Sequence, residues 1–469
     1  MKMNDDWLQD RRVAVLGLGI EGRDLSHFLA ARGARLVAFD TRSRDAVAAG
    51  AAELEALGAE VRLGPIPVDA ADGCDAIYVS QSVLLHREPL VLRARAAGKP
   101  VRSRQTEFFE RWPGPIAAIT GSSGKTTTTS LVQAGFAAAG VPHIVGGNIG
   151  GSLLGQLDAA APNCWAVLEV SHTQLQLYER GPDIACVTNV TPNHLDQFSW
   201  DEYVDLKRNL VRHQSRGDIA VLNATNPDAA RLAFDTPAKK VWFNADMPGE
   251  DSCFVSDEQL VLRTADATTA FVTLGEVPLR GRHNVENVLA AAAVTASARI
   301  PPTIFGDAVR SFKPVPHRLE YVANVDGAAW YNDSIATSPE RTLAGLRSFE
   351  EPLVLLLGGR EKNLPLDELA EEVHQRARAV ICFGEAAGLL AGAIERQEAS
   401  GAPRAQVRRV KTLDEAVSMA RSRSQPGDVV LLSPACTSFD AYPNFERRGE
   451  EFRRLVLNEA RKVGAPSQP

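Results

Sequence analysis

Ile116-Ala117-Ala118-Ile119-Thr120-Gly121-Ser122-Ser123-Gly124-Lys125-Thr126-Thr127 is the stretch on which the reading of this chain turns. An apolar strand runs into the turn Gly121-Ser122-Ser123-Gly124, and Lys125, Thr126 and Thr127 open the helical stretch that follows. Glycine at such a junction lets backbone N–H groups converge, and the helix N-terminus adds its dipole, so phosphate can be cradled there. Lys125 is placed to reach β- and γ-phosphates, and Thr126 to offer a hydroxyl to Mg²⁺. The spacing departs from the general G-x-x-x-x-G-K-[ST] pattern, since Ile119 stands where that pattern has glycine. A polar turn that happens to contain lysine is the bland alternative. Binding of a nucleoside triphosphate is the reading the strand–turn–helix context supports.

Outward from this loop, apolar strand-like runs alternate with amphipathic helical stretches, the mark of α/β architecture with parallel sheets. A chain of 469 residues is too long for one ordinary core. Arg12–Leu16, Arg35–Phe39 and Ala76–Val79 read as strands of a first unit ending near Trp112. Ile116–Thr120, Trp165–Val170, Ile184–Val190 and Ile219–Leu222 read as strands of a second, closed by the Ala-rich helix Val285–Ala298. Past Pro314 and Pro316, a third unit runs through Leu353–Leu357, Ala379–Phe383 and Val429–Leu432 to a charged helix, Arg447–Lys462. The expected fold is therefore α/β in three domains: 1–112, Rossmann-like; 113–313, a central P-loop domain with a mainly parallel sheet; and 314–469, again Rossmann-like.

With 45% hydrophobic and 23% charged residues, the composition is that of a soluble globular protein. A formal charge of −7 and a pI near 5.8 give no general attraction for nucleic acid or an anionic membrane, so a phosphorylated ligand must be held by local groups. No apolar run is long enough to span a bilayer, and the polar start Met1–Asp6 is no signal peptide. The six cysteines lack C-x-x-C spacing and read as buried free thiols of a reducing compartment. A cytoplasmic location is expected.

Gly17-Leu18-Gly19-Ile20-Glu21-Gly22 matches G-x-G-x-x-G after a strand, with Asp40 ending the next one. The pattern says that a diphosphate can approach backbone at a helix N-terminus, and not which nucleotide carries it. An NAD-dependent oxidoreductase is therefore a rival from another class. The second phosphate loop at 121–126 weighs against it.

Further motifs follow in order: Gly146-Gly147-Asn148-Ile149-Gly150, Leu168-Glu169-Val170-Ser171-His172-Thr173-Gln174-Leu175, Asn189-Val190-Thr191-Pro192-Asn193-His194-Leu195-Asp196 and Gly281-Arg282-His283-Asn284-Val285-Glu286-Asn287. Pro316-His317-Arg318, Asn332-Asp333-Ser334, Leu357-Gly358-Gly359 and Ser433-Pro434-Ala435-Cys436 complete the series. Together with Thr120–Thr127 these resemble the Mur ligase family over nearly the whole chain, and within it the member that adds glutamate. The folate polyglutamylating enzymes share the ATP chemistry but do not require a G-x-G-x-x-G domain ahead of the phosphate loop.

The resemblance implies ATP-dependent joining of D-glutamate to UDP-N-acetylmuramoyl-L-alanine by a monomer, for cell-wall synthesis, with an L-glutamate-adding member of the family as the alternative. It implies ATP contacts at Gly121, Ser122, Ser123, Gly124, Lys125, Thr126, Thr127, Asn284, Asn287, Arg318 and Asp333, with the third domain closing over the nucleotide. Two Mg²⁺ ions are implied on Thr126, Glu169, His194 and a CO₂-derived carbamate on Lys207; Lys125, Glu169, His194 and Lys207 form the catalytic set. On residue chemistry alone, Glu169 could be a solvated acid, His194 and Asp196 could merely order their loop, and Lys207 could be a surface lysine of the helix Asp201–His213. The sugar nucleotide is expected at Gly19, Ile20, Glu21, Asp40, Thr41, Arg42, Asn148, Ser171 and Gln174, with Asp40 accepting from uracil N3–H. Ser80-Gln81-Ser82 and His172 depart from the family's Ser-Pro-Gly and Ser-Ser near that path. Glutamate is expected at Thr337, Lys362, Ser438, Phe439 and Phe445; Ile335 stands where many glutamate-adding members have lysine.

Overall fold

The structure is a computed structural model that describes residues 5–193, 195, 197–313, 315–362, 364–397 and 405–462. Val13, Ala14, Val15 and Leu16 are buried in succession rather than alternately, so β1 (Arg12–Leu16) must be covered on both faces. It pairs in parallel with β2 (Arg35–Asp40) on one side and, past β3 (Glu60–Leu63), with β4 (Ala76–Val79) on the other. With β5 (Val101–Ser103) the sheet order is β3-β2-β1-β4-β5.

The second sheet contains β6 (Ile116–Thr120), β7 (His143–Gly147), β8 (Trp165–Glu169), β9 (Ile184–Val187), β10 (Ile219–Asn223), β11 (Lys239–Phe243), β12 (Asp251–Ser256), β13 (Gln259–Arg263) and β14 (Thr268–Thr273). Their order is β14-β13-β12-β11-β10-β9-β6-β8-β7, parallel from β12 to β7. The antiparallel ribbon β12-β13-β14 escapes the reading of the sequence. Its first turn is Asp257-Glu258, both at positive φ (47° and 60°), without the Asn or Gly that marks such hairpins.

The third sheet comprises β15 (Glu320–Val325), β16 (Ala328–Asn332), β17 (Leu353–Gly358), β18 (Ala377–Phe383), β19 (Gln406–Arg409) and β20 (Val429–Ala435). Its order is β15-β16-β20-β17-β18-β19, with only β15 antiparallel.

Contacts divide the chain into two compact units. One is Met1–Val277 with Val285–Phe312, holding the first two sheets; the other is Pro278–Asn284 with Lys313–Pro469, holding the third. All six cysteines are free thiols, and Cys164 differs from the expected burial in being partly exposed. Among the described residues no helix is long and apolar enough to cross a membrane.

Candidate active site

In the second sheet β6 lies between β9 and β8, so the strand order reverses around it. Crevices at the carboxyl ends of strands beside such a reversal are where α/β sheets bind ligands. The loop after β6 is Gly121–Gly124, and Lys125 begins the helix Lys125–Ala138. Gly124 has φ +79°, and a Cβ there would lie 2.2 Å from Asn287 Oδ1, so no other residue fits. Asn287, expected among the ATP contacts, thus packs against the phosphate loop itself. The loop is laced to the segment after β9. Ser122 N–H donates to the Asn189 carbonyl (3.0 Å), the Ser122 hydroxyl to the Thr191 carbonyl (2.9 Å), and Ser123 N–H to Asn189 Oδ1 (3.0 Å). This is why the strand expected over Ile184–Val190 stops at Val187: the next residues leave the ladder to hold the loop. Lys125 Nζ donates to the carbonyls of Gly121 (2.8 Å) and Ser122 (3.1 Å). Thr126 is half-buried in the first turn of the helix, and Thr127 is buried behind it.

Glu169 ends β8, in register with Ile119 on one side and Gly147 on the other. It is 1% exposed; Oε1 accepts from Asn148 Nδ2 (2.9 Å), and Oε2 has no hydrogen-bond partner among the described residues. A buried carboxylate oxygen without a donor calls for a cation. Among the described residues no three His, Cys, Asp or Glu side chains cluster as a metal cage. The donors that remain, one carboxylate beside hydroxyls and a site for phosphate, suit Mg²⁺, which keeps water and substrate oxygens in its shell.

Lys207 is not a surface lysine. The helix Trp200–Arg212, capped reciprocally by Ser199 and Glu202, carries it inward to 1% exposure. Its Nζ is 3.1 Å from both Thr120 Oγ1 and the Gly121 carbonyl, and 5.3 Å from the Tyr203 ring centroid. Burial pushes the amine well below the usual lysine range; Lys125 pushes the same way and Glu169 opposes. His194 and Asp196 lie outside the described residues.

At the carboxyl end of β1, a Cβ on Gly22 would fall 1.6 Å from the Gly17 carbonyl oxygen, so the third glycine of the motif lets helix and strand touch. Gly19 N-caps the helix Ile20–Ala30 without a side-chain cap, and Ile20 is 66% exposed at its mouth. Both Asp40 oxygens are occupied: Oδ2 by Leu18 N–H (2.9 Å) and Arg42 Nη2 (2.7 Å), Oδ1 by Arg42 N–H (3.0 Å) and Nε (2.9 Å). The Arg42 guanidinium, foremost, holds this carboxyl down to about 2. Asp40 therefore braces the glycine loop, and Thr41 is exposed beside it. Glu21 is also engaged by protein: Oε1 accepts from Gln174 Nε2 (2.6 Å), Arg104 Nη2 (2.7 Å) and Gln105 Nε2 (3.1 Å), and Oε2 from Gln81 N–H (2.7 Å). Ser171 donates to Gln81 Oε1 (3.2 Å), so Gln81 ties the first sheet's loop to the second sheet. His172 packs edge-on against Phe198, ring centroids 5.6 Å apart.

In the other unit, Asn332-Asp333, Gly358-Gly359 and Ser433–Cys436 all lie at carboxyl ends of strands. Asp333 is buried and turned inward, accepting from Leu319 N–H (3.2 Å) and the Ser433 hydroxyl (2.9 Å); burial lifts its carboxyl to about 7 against the pull of Ser433 and Arg318. Arg318 is half-buried, close enough to His283 to help burial hold that imidazole down to about 4. Asn284 donates to the Arg280 carbonyl (2.7 Å). Lys362 Nζ stands 3.4 Å from Thr337 Oγ1; Ser438 is buried, Phe439 exposed and Phe445 half-buried. Sequence reasoning missed Arg448. Fully buried, it donates to carbonyls of Ser334, Gly358, Cys436 and Thr437 and so ties the ends of β16, β17 and β20 together. In the sequence it is one more charge on a charged helix. Arg104 was missed for the same reason.

Two family models match the chain: the Mur ligase middle domain over residues 119–295, and the Mur ligase glutamate ligase domain over 317–436. The chain belongs to the Mur ligase family. It is 40% identical to the UDP-N-acetylmuramoylalanine–D-glutamate ligase of Symbiobacterium thermophilum over 448 residues, covering 95% of this chain and 97% of that one. The enzyme of the same name from Clostridium novyi is 35% identical over 461 residues, covering 97% and 98%. Among solved structures, the UDP-N-acetylmuramate-alanine ligase of Thermotoga maritima superposes with a TM-score of 0.58 at 17% identity, covering 96% of this chain and 99% of that one, which shows the shared fold.

Proposed function

We propose that this chain is a cytoplasmic, monomeric, ATP-dependent ligase that joins D-glutamate to UDP-N-acetylmuramoyl-L-alanine for peptidoglycan synthesis. The observation that carries the chemistry is the buried Glu169 Oε2, without a donor among the described residues, set on β8 next to the strand that launches the phosphate loop. An amine cannot displace oxide from a carboxylate. Transfer of the γ-phosphoryl group of ATP to the alanyl carboxylate gives an acyl phosphate and ADP; the glutamate amine then attacks the carbonyl carbon and expels phosphate. Such a transfer between anions is governed by positioning and positive charge. Lys125 and the N–H groups of the turn Gly121–Gly124 orient the phosphates. Glu169, Thr126, His194 and a Lys207 carbamate would hold two Mg²⁺ ions, which would supply positive charge to the phosphoryl oxygens.

The carbamate rests on Lys207. Only a neutral amine adds CO₂, losing a proton as it forms N–COO⁻, and burial shifts this amine towards its neutral form. Ile20, Thr41, Arg42 and Asn148 line the sugar-nucleotide path, with Glu21 and Asp40 behind them. Thr337, Lys362 and Ser438, with Phe439 and Phe445, hold the glutamate carboxylates. Phosphate release from ATP is measured with UDP-N-acetylmuramoyl-L-alanine and a panel of amino acids. Release should require D-glutamate, and Lys125→Ala should lower it by about a hundredfold or more. Undiminished turnover in that variant overturns the phosphate-loop role.

A further inference from the structure

The helix Ile20–Ala30 presents an uncapped N-terminus over a glycine turn, a favourable place for an anion. Two of its own residues oppose that use. Glu21 and Asp24 are both buried carboxylates, on the same face and one turn apart. Among the described residues a single cation stands against the pair. Arg104, 3% exposed, places Nη2 2.7 Å from Glu21 Oε1 and Nη1 3.7 Å from Asp24 Oδ2. The same Nη2 donates to the Gly147 carbonyl at 2.6 Å. The next residue, Asn148, bonds through its backbone N–H to the Glu169 carbonyl (2.7 Å) and through its amide to Glu169 Oε1 (2.9 Å).

We propose that Arg104 is a positioning residue that makes this helix end fit for the diphosphate of the sugar nucleotide, by neutralising Glu21 and pinning it against the Gly147 turn. The inference rests on the sugar-nucleotide site proposed at Gly17–Gly22. The other donors to Glu21 (Gln81, Gln105 and Gln174) and those to Asp24 (Ser152, Leu153 and Leu154) satisfy hydrogen bonds but bring no charge. Arg104 alone holds the Glu21–Asp24–Arg104 trio at one net negative charge. Arg104→Gln leaves two; Asp24→Asn with Arg104→Gln returns to one. A charge-balancing role and a merely structural role therefore part company in the double variant.

Calorimetric titration of the full chain with UDP, together with KM for the sugar nucleotide and for ATP, tests this. Arg104→Gln should weaken UDP binding and raise the sugar-nucleotide KM by about tenfold or more, with KM for ATP moved less than about threefold. The double variant should recover UDP affinity to within about threefold of wild type. Wild-type UDP affinity in Arg104→Gln, a parallel loss for ATP, or a folded double variant as weak as the single one overturns the proposal. If Arg104→Gln does not fold, the double variant decides alone. A wild-type chain that binds ATP but not UDP removes the underlying site, and this proposal with it.

Discussion

Lys207 and Lys125 sit beside the same loop carbonyl, that of Gly121, yet in different surroundings: Lys125 is half-buried at the helix start and Lys207 is sealed. The sealed amine is the one whose chemistry can change. Lys207→Arg keeps a cation but cannot carry a carbamate and must fit a larger planar group into a closed site. Turnover of that variant should fall to near background, whereas a solvated lysine would accept the swap within about 0.5 kcal/mol of stability. An active Lys207→Arg enzyme overturns the carbamate. Asp333 gives a second test. Its carboxyl titrates at about 7 in the folded chain against 3.8 as a free side chain, so the native state binds more protons between those values. Stability contributed by this group is therefore present below the lower value, lost as pH rises through the window, and level above it. Asp333→Asn stays neutral throughout. In thermal unfolding, the melting temperature of Asp333→Asn relative to wild type should rise between about pH 5 and about pH 8. Parallel pH profiles would place the proton elsewhere.

Helix Trp200–Arg212 shows how an element delivers a residue. Ser199 Oγ accepts from Glu202 N–H (3.3 Å), and Glu202 Oε2 accepts from Ser199 N–H (2.8 Å), which sets the helix start and so the depth at which Lys207 enters the core. Ser199→Ala should cost about 1 kcal/mol, seen as a lower midpoint in chemical denaturation, and Ser199→Asp should recover most of it. An unchanged midpoint in Ser199→Ala would mean that tertiary packing alone holds the helix. At this scale the sequence was readable where one signal dominated. Arg12–Leu16, Ala76–Val79 and Ile116–Thr120 are strands over those residues, because uninterrupted apolar runs between turn residues leave little choice. It was not readable at Asp257-Glu258, where the fold imposes positive φ on residues that do not advertise it.

Across the whole molecule, Lys362, Thr337 and Ser438, the residues proposed to hold glutamate, all belong to the unit that contains Lys313–Pro469. Enantiomers of glutamate offer the same two carboxylates but point the attacking amine in different directions. One fixed pair of anchors should therefore favour one of them strongly. D-glutamate should turn over faster than L-glutamate under identical conditions, and Lys362→Ala should raise KM for glutamate far more than KM for ATP. Faster turnover with L-glutamate would reverse the choice of enantiomer and leave the ligase chemistry in place.

By itself the sequence determined the α/β class, the two glycine loops and the family, because these depend on local periodicity and on residues adjacent in the chain. Tertiary structure decided which charged residues are buried. Arg104 and Arg448 look like ordinary helix charges in sequence, yet one pairs with Glu21 and Asp24 and the other gathers four carbonyl-bearing residues from three strand ends. Asp40 and Glu21, expected at the sugar nucleotide, also accept hydrogen bonds from protein donors. The physical reason is distance along the chain: Glu21 meets Arg104 and Gln174 only after the sheets have brought them together, and no local pattern records a partner 83 or 153 residues away.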